Sequence, residues 1–136
     1  MLLFVANRAL EQRAFDAVVA AGFDDITLTQ ARVAARIGPD GSRVTDLAEQ
    51  ARITKQSAAF LVEQLEAAGY VERVPDPTDG RARLVRLTAH ARPVIEAANA
   101  EVQRVLAEWS DHVGKERLQQ MHRTLRDLRE ITDPWR

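Results

Sequence analysis

Apolar residues recur every three or four positions along most of this chain, a spacing that predicts a mainly α-helical protein. The first such stretch covers residues 2–21 and stops at Gly22, a residue type that favours helix ends. A second stretch runs to about Ile37, and either Thr27 or Thr29 can cap its start with a side-chain oxygen. Two helices are therefore predicted in the first quarter of the chain.

A pair of closely spaced helices is predicted next. Turn-forming residues occupy positions 38–42, and Arg43-Val44 is predicted to add a short third strand beside a later hairpin. A brief helix over residues 45–51 is then separated from the following helix by Arg52 and Ile53. So short a connection is typical of a helix-turn-helix, in which the first helix braces the second in the DNA major groove.

The second helix of this pair begins with polar residues suited to DNA. Thr54 is a good N-cap, and Gly69 ends the helix. The apolar stripe of this helix consists of Ala58, Leu61, Val62, Leu65 and Ala68. Lys55 occupies the first turn, where the helix dipole disfavours a cation, so phosphates facing this end would explain it, with Gln56 and Ser57 beside it for base edges. The alternative is an exposed lysine without a role, at a cost of roughly a few tenths of a kcal/mol.

An arginine-rich β-hairpin is predicted after this helix. Its strands, residues 70–74 and 84–88, are short and β-prone, and the run from Pro75 to Gly80 consists of turn formers. Residues 80–92 contain no acid but four arginines, namely Arg81, Arg83, Arg86 and Arg92. Arginine at a hairpin tip is attracted by a narrow, electronegative DNA minor groove. The alternative is a basic loop that meets only solvent.

The C-terminal third of the chain returns to helical spacing. Pro93 falls in or near the first turn of a helix that continues to a bend at residues 112–114. In the last helix, apolar side chains follow the a/d spacing of a coiled coil at Leu118, Met121, Leu125 and Leu128. Packing within one chain is the alternative, but the apolar helix faces exceed what a small winged helix can bury. Residues 2–21 and 94–130 are therefore predicted to build a homodimer.

The middle of the chain resembles the winged helix-turn-helix of the MarR (multiple antibiotic resistance regulator) family of bacterial transcription factors. The resemblance is carried by Leu65-Glu66-Ala67-Ala68-Gly69-Tyr70-Val71, Asp76-Pro77-Thr78-Asp79-Gly80-Arg81-Ala82 and Val85-Arg86-Leu87-Thr88. It implies a mainly α fold with a small β wing, as a single domain over residues 1–136. A winged helix-turn-helix core of about residues 27–88 would lie between dimerisation helices of about residues 2–21 and 89–131. Phe60 and Gly80 depart from the family, which often has basic residues there, and each removes one DNA contact.

The resemblance implies a ligand-responsive repressor that binds double-stranded DNA at a palindromic operator as a homodimer. The DNA-binding residues are predicted to be Arg52, Thr54, Lys55, Gln56, Ser57, Asp79, Arg81 and Arg83. In the helix, Gln56, Ser57 and Thr54 would reach base edges, since glutamine can pair with adenine through two hydrogen bonds. Lys55 and Arg52 would hold phosphates.

On the hairpin, Arg81 would enter the minor groove and Asp79 would orient a nearby arginine and shape the turn. Arg83 and Arg86 would each either contact a phosphate or remain a charge on the strand surface. The resemblance also implies a small, often aromatic or phenolic effector between the dimerisation helices and the winged core. Trp109 and Phe15 could line such a pocket, although large aromatic residues at helical spacing more often belong to a core.

Composition narrows the functional class. The net charge is −1, so a DNA-binding surface must be locally basic. The absence of cysteine excludes a disulfide scaffold, a thiol redox switch and a zinc ribbon. His90, His112 and His122 lack metal-ligand spacing, and no nucleophile or phosphate-loop motif occurs, so no enzyme, metal or cofactor is expected. No apolar run is long enough to span a membrane and no secretory signal is recognisable, so a cytoplasmic protein is expected.

The competing hypothesis is a winged helix that binds a protein instead of DNA, because a fold does not by itself decide function. Lys55, Gln56 and Ser57 favour DNA, as does the acid-free stretch of arginines, because a protein-binding wing would not need them.

Overall fold

Six helices and a two-stranded wing make up the computed structural model, which describes residues 1–134. The helices are α1 (Leu2–Ala20), α2 (Leu28–Ala34), α3 (Val44–Ala51), α4 (Lys55–Ala67), α5 (Arg92–Val113) and α6 (Lys115–Thr132), with a 3-10 turn at Ala89–Ala91 before α5. The strands β1 (Val71–Asp76) and β2 (Asp79–Leu87) form an antiparallel hairpin. The predicted fold class, mainly α with a small β wing between terminal helices, is confirmed, and the terminal helices α1 and α5 contact each other. No helix within residues 1–134 is long and apolar enough to cross a membrane.

The core lies where α2, α3 and α4 meet the base of the wing. Its fully buried side chains include Val33, Leu47, Val62, Leu65 and Val85, each no more than 1% exposed. These residues come from three helices and one strand, so the wing is part of the core and not an appendage. A rigid core of this kind fixes the direction in which α4 presents its outer face.

Local hydrogen bonds explain where α2 begins and ends. Of the two predicted caps it is Thr27 that acts, because its hydroxyl accepts from the Gln30 amide at 3.2 Å while the Gln30 side chain accepts from the Thr27 amide at 2.9 Å. The helix is three residues shorter than predicted. Its end tightens because the amide of Ile37 bonds to the carbonyl of Ala34, three residues back, instead of continuing the α-helical pattern.

The wing is longer than predicted, and its turn is tighter. Residues 75–76 and 79–80, expected to be turn, belong to the strands, as do residues 81–83. Asp76 pairs with Asp79 across a two-residue loop of Pro77 and Thr78. The Asp76 carboxylate accepts from the Thr78 amide at 2.8 Å and from the Thr78 hydroxyl at 2.7 Å. This side-chain closure of the turn frees the flanking residues to pair as strand.

The predicted third strand at Arg43-Val44 is wrong. Ser42 makes the contact with the wing, exchanging both backbone hydrogen bonds with Val85 at 2.8 and 2.9 Å. Arg43 is instead the N-cap of α3 and Val44 its first residue, because the chain turns into the helix as soon as it has left the wing.

The terminal helices pack against each other over only part of their length. Arg13 of α1 bonds to Glu101 and to Glu108 of α5, in each case with one 2.9 Å contact. Gly114, at φ +94°, makes the predicted bend between α5 and α6. Beyond it, α6 has no buried side chain.

Candidate nucleic-acid interface

The turn between α3 and α4 is held by a strained residue. Arg52 ends α3 with φ +55°, and it is the one non-glycine residue with positive φ in residues 1–134. Its amide bonds to the carbonyl of Glu49 at 3.1 Å, and the amide of Ile53 bonds to that of Ala48 at 3.0 Å. A left-handed backbone is unfavourable for a side chain other than glycine, asparagine or aspartate. The exposed Arg52 side chain thus lies at the entrance to α4 in a backbone conformation that has an energetic cost.

The first turn of α4 presents an exposed polar surface. Thr54 caps the helix as predicted, accepting from the Ser57 amide at 3.0 Å and donating its own proton to the Ser57 hydroxyl at 2.9 Å. The Thr54 hydroxyl is thus committed to the cap, while the Ser57 proton remains available to an outside acceptor. Lys55 and Gln56 are exposed, and their side chains have no partner among the described residues.

The wing arginines divide into paired and unpaired side chains. Arg86 donates to Glu72 on the neighbouring strand at 2.6 Å. Of its two predicted roles, phosphate contact or a charge on the strand surface, this ion pair favours the second. Arg81 and Arg83, nearer the hairpin tip, are exposed and form no ion pair within residues 1–134. Because alternate strand residues share a side, the two free guanidinium groups lie on the same side of β2.

Asp76 and Arg43 hold the wing to the start of α3, an arrangement that was not predicted from the sequence. Asp76 is only 6% exposed, and it accepts from Nε and Nη2 of Arg43 at 2.9 and 2.6 Å. The hydrogen bonds from Thr78, and then that from Arg43, lower the pKa of Asp76 from its usual 3.8 to about 2. The one signal in the sequence was an aspartate two residues before a threonine in a turn-forming run.

Asp79 shapes the tip more than it orients a DNA-binding side chain. Its carboxylate accepts from the backbone amide of Arg81 at 3.1 Å. The guanidinium nearest to it is that of Arg43, at 3.7 Å, and not that of Arg81 or Arg83.

A mostly apolar cavity of about 380 Å³ lies between the terminal helices and the winged core. Its walls come from α1, α2 and α5, with Tyr70 and Leu87 from the hairpin region. Phe15 lines the cavity as expected, whereas Trp109 is not among the lining residues. The polar side chains around it include Glu11, Arg32 and Arg36.

Two polar contacts connect the cavity wall to the winged core. Burial, and then the hydrogen bond that Tyr70 donates to Asp25, raise the pKa of Tyr70 to about 12. Arg36 donates from Nε to the carbonyl of Gln50 at 3.3 Å, in the last turn of α3. Arg36, whose side chain lines the cavity, is thus hydrogen-bonded to Gln50, which lies two residues before the strained turn at Arg52.

Comparisons with known proteins agree with this geometry. A sequence model of the MarR family matches residues 24–82, the segment that contains α2, α3, α4 and most of the wing. The transcriptional activatory protein BadR of Rhodopseudomonas palustris is 31% identical over 94 residues, which are 69% of this chain and 53% of BadR. The chain spans about half the length of the curated relatives it matches.

Solved structures match nearly the whole chain. The transcriptional regulator PA4135 superposes with a TM-score of 0.72 at 26% identity, covering 96% of this chain and 95% of that one. NadR, solved in complex with 4-hydroxyphenylacetate, gives 0.70 at 27% identity over 93% of this chain and 88% of NadR. The family model matches the helix-turn-helix and most of the wing, and the solved structures also cover the terminal helices. The chain therefore belongs to the MarR family of winged helix-turn-helix transcriptional regulators, which are non-enzymatic proteins.

Proposed function

We propose that this chain binds double-stranded DNA sequence-specifically as a homodimer on a palindromic operator and represses transcription there. The main support for this proposal is a contrast between basic side chains that form ion pairs with acids of the same chain and basic side chains that do not. Within residues 43–88, the segment from α3 to the end of the wing, Arg43, Arg73 and Arg86 are held by acids of the same chain. Arg52, Lys55, Arg81 and Arg83, on the two elements that a winged helix presents to DNA, have no acid partner among the described residues.

Each element has a distinct task in this proposal. Gln56 and Ser57 form hydrogen bonds to base edges in the major groove, where glutamine recognises adenine by donating to N7 and accepting from the N6 amino group. Lys55 and Arg52 neutralise phosphates, so binding releases counterions and weakens as salt rises. Arg81 enters the adjacent minor groove, and Arg83 contacts a phosphate.

Three alanine variants and one control test this assignment. Gln56→Ala is expected to lose about 1–3 kcal/mol on the selected operator and little on random duplex, because it removes a base contact. Lys55→Ala is expected to lower the slope of log affinity against log salt by about one unit. Arg81→Ala is expected to weaken binding to both duplexes.

Arg86→Ala is the matched control, since its guanidinium is already paired with Glu72. Fluorescence anisotropy over a salt series measures all four variants. If Lys55→Ala and Arg81→Ala bind every duplex as the wild type does, this surface does not bind DNA, and the protein-binding winged helix becomes the better hypothesis.

The proposed homodimer is supported by the apolar side chains left exposed on the terminal helices. Residues 1–5 are all apolar, and Leu2, Leu3 and Phe4 are 62–86% exposed. In the α6 seam, which consists of Met121, Leu125 and Leu128, each side chain is 37–40% exposed. A second copy would cover them and place two α4 helices in successive major grooves, about 34 Å apart. Half-site spacing in the selected operator tests this geometry.

We further propose that a small effector with an apolar or aromatic body occupies the 380 Å³ cavity and controls DNA binding. The volume lies within the usual range for ligand pockets, and NadR, which shares this fold, was solved with 4-hydroxyphenylacetate. Arg36 gives the cavity a direct connection to α3, through its bond to the Gln50 carbonyl. A ligand that draws Arg36 away from Gln50 would alter the support of the helix-turn-helix and shift the population away from the DNA-binding arrangement.

A cavity-filling variant tests this part separately. Ala98→Phe should abolish the effect of 4-hydroxyphenylacetate on thermal stability and operator affinity, because Ala98 lines the cavity. Ala100→Phe, on the exposed side of α5, is the control. A ligand effect of equal size in both variants would place the effector elsewhere.

Repression is tested by measuring transcription from a promoter that carries the selected operator, with and without the protein. Repression would lower transcription. Activation, the role that the name of BadR gives to that relative, would raise it.

A further inference from the structure

Phe60 is the one exposed large hydrophobic side chain in the winged core among residues 1–134. It is 59% exposed, and the other exposed large hydrophobic residues lie at the N-terminus or in α1, α5 and α6. The terminal helices can cover theirs with a second copy of the chain. Phe60 is on α4, outside the terminal helices, so a partner other than a second copy of the chain is needed to cover its exposed side chain.

Helix geometry places Phe60 in the middle of the outer face of α4. Ala58 and Val62, both fully buried, are two residues away on either side, which is about 200° around the helix. Gln56 is four residues earlier, on the same face and one turn closer to the N-terminus. The face that carries Phe60 is therefore the face proposed to read base edges, and Glu63 and Gln64 make the rest of it polar.

A phenyl ring can contribute only an apolar contact in a DNA major groove. It can neither donate to a phosphate nor bond to a base edge, unlike the basic residue that the family often has at this position. The one apolar group that standard base pairs show in the major groove is the 5-methyl group of thymine, which apolar side chains, phenylalanine included, recognise.

We propose that Phe60 determines sequence specificity by packing against the 5-methyl group of a thymine in each half-site. This inference rests on the proposed function, since it requires α4 to enter the major groove. Four residues of helix rise about 6 Å. With base pairs spaced about 3.4 Å apart, the thymine lies within about two base pairs of the adenine read by Gln56.

Replacing thymine by deoxyuridine tests the inference, because that change removes the methyl group and nothing else. A duplex is first selected from a random library with the wild-type protein, and its thymines are then replaced one at a time. At one position in each half-site, the wild type should lose affinity about fourfold, the equivalent of about 0.8 kcal/mol for one methyl group. Phe60→Ala should bind the thymine and deoxyuridine duplexes equally.

Matched variants separate methyl recognition from folding and charge. Phe60→Leu should keep part of the discrimination, whereas Phe60→Arg should lose it and bind with a steeper salt dependence. Because Phe60 is exposed, all three variants should melt within a few degrees of the wild type, and the melting temperature is measured for each.

The possible outcomes distinguish this inference from the function on which it rests. If a consensus duplex emerges but no thymine is sensitive to loss of its methyl group, the role of Phe60 is wrong and specific DNA binding stands. An unchanged methyl response in Phe60→Ala overturns the role equally. If no consensus can be selected, the proposed function fails as well, and Phe60 would then be the expected centre of a protein-binding surface.

Discussion

The winged core and the terminal helices use similar amphipathic helices, but they complete their packing differently. In the core, Leu47, Val62 and Leu65 are no more than 1% exposed, because α3 and α4 meet each other and the wing. In α6, Met121, Leu125 and Leu128 follow an equally regular spacing and are still 37–40% exposed. An apolar stripe thus specifies that a helix has a face to bury, and not which surface will bury it.

The polar contacts of the wing and of α6 show the same difference. The wing is fixed to α3 by a buried carboxylate with four donated hydrogen bonds, two from Thr78 and two from Arg43. The ion pair between Arg129 and Asp133 at the end of α6, by contrast, joins residues only four positions apart in the chain. The core is consequently expected to be stable by itself, and the terminal helices to depend on a second copy.

The largest expected effect is that of truncating the core. Leu47→Ala should cost about 2–5 kcal/mol of unfolding free energy, because it leaves a cavity where no atom was exposed. Urea denaturation at several protein concentrations measures the loss, which should be the same at each. Glu49→Ala, on the exposed side of α3, is the control. A loss below about 1 kcal/mol for Leu47→Ala would contradict the described packing.

Next in size is the effect of a charge in the α6 seam. Leu125→Glu should dissociate the proposed homodimer, because it would bury an unpaired carboxylate between two copies. Sedimentation should then show a species near the chain mass of 15.2 kDa at micromolar concentration, whereas the wild type should sediment at twice that mass. Gln119→Glu, on the opposite side of α6, should remain dimeric. A wild-type monomer would refute the dependence of the terminal helices on a partner.

A smaller loss is expected from Asp76→Asn, which removes the charge that fixes the wing. Because folding lowers the pKa of Asp76 from 3.8 to about 2, the carboxylate stabilises the folded state fully above about pH 4. That contribution fades as the pH falls from 4 to 2. The urea midpoints of wild type and variant should therefore differ most at pH 7 and converge below pH 4.

Asp79→Asn should change the midpoint less, since the Asp79 side chain is exposed. Random-duplex affinity should also fall in Asp76→Asn, because Arg81 and Arg83 lose the fixed base of the wing. Equal midpoints of Asp76→Asn and wild type at pH 7 would show that the carboxylate does not hold the wing.

The smallest effect concerns Tyr70, where the two regions meet at the cavity. Burial, and then Asp25, raise the pKa of Tyr70 to about 12, and it is the one tyrosine of the chain. The phenolate absorbance of the folded protein should therefore titrate near pH 12, and the neutral phenol should stabilise the fold below pH 10 and cease to do so as the pH rises to 12. Asp25→Asn should lower the midpoint without restoring the usual 10, since burial remains. A midpoint near 10 in the folded wild type would mean that the ring is not buried.

The sequence alone was sufficient for the elements whose signals are local. The caps at Thr27 and Thr54, the bend at Gly114 and the helix-turn-helix spacing around Arg52 depend on neighbouring residues, and the structure has them where the spacing predicted. Helix periodicity also identified the residues of α4 that face inward, including Ala58, because a repeat of 3.6 residues is a property of one segment.

Only the tertiary structure decided the features that join distant segments. Asp76 looked like one turn former among several, and it became the anchor of the wing because folding brings Arg43, 33 residues earlier, to its carboxylate. Leu65 and Leu125 both lie on regular apolar stripes, yet Leu65 is 1% exposed and Leu125 is 37% exposed, because α4 packs against the rest of the core whereas α6 buries no side chain. Periodicity cannot reveal which charge meets which, since the pairing depends on distances across the fold that no local spacing contains.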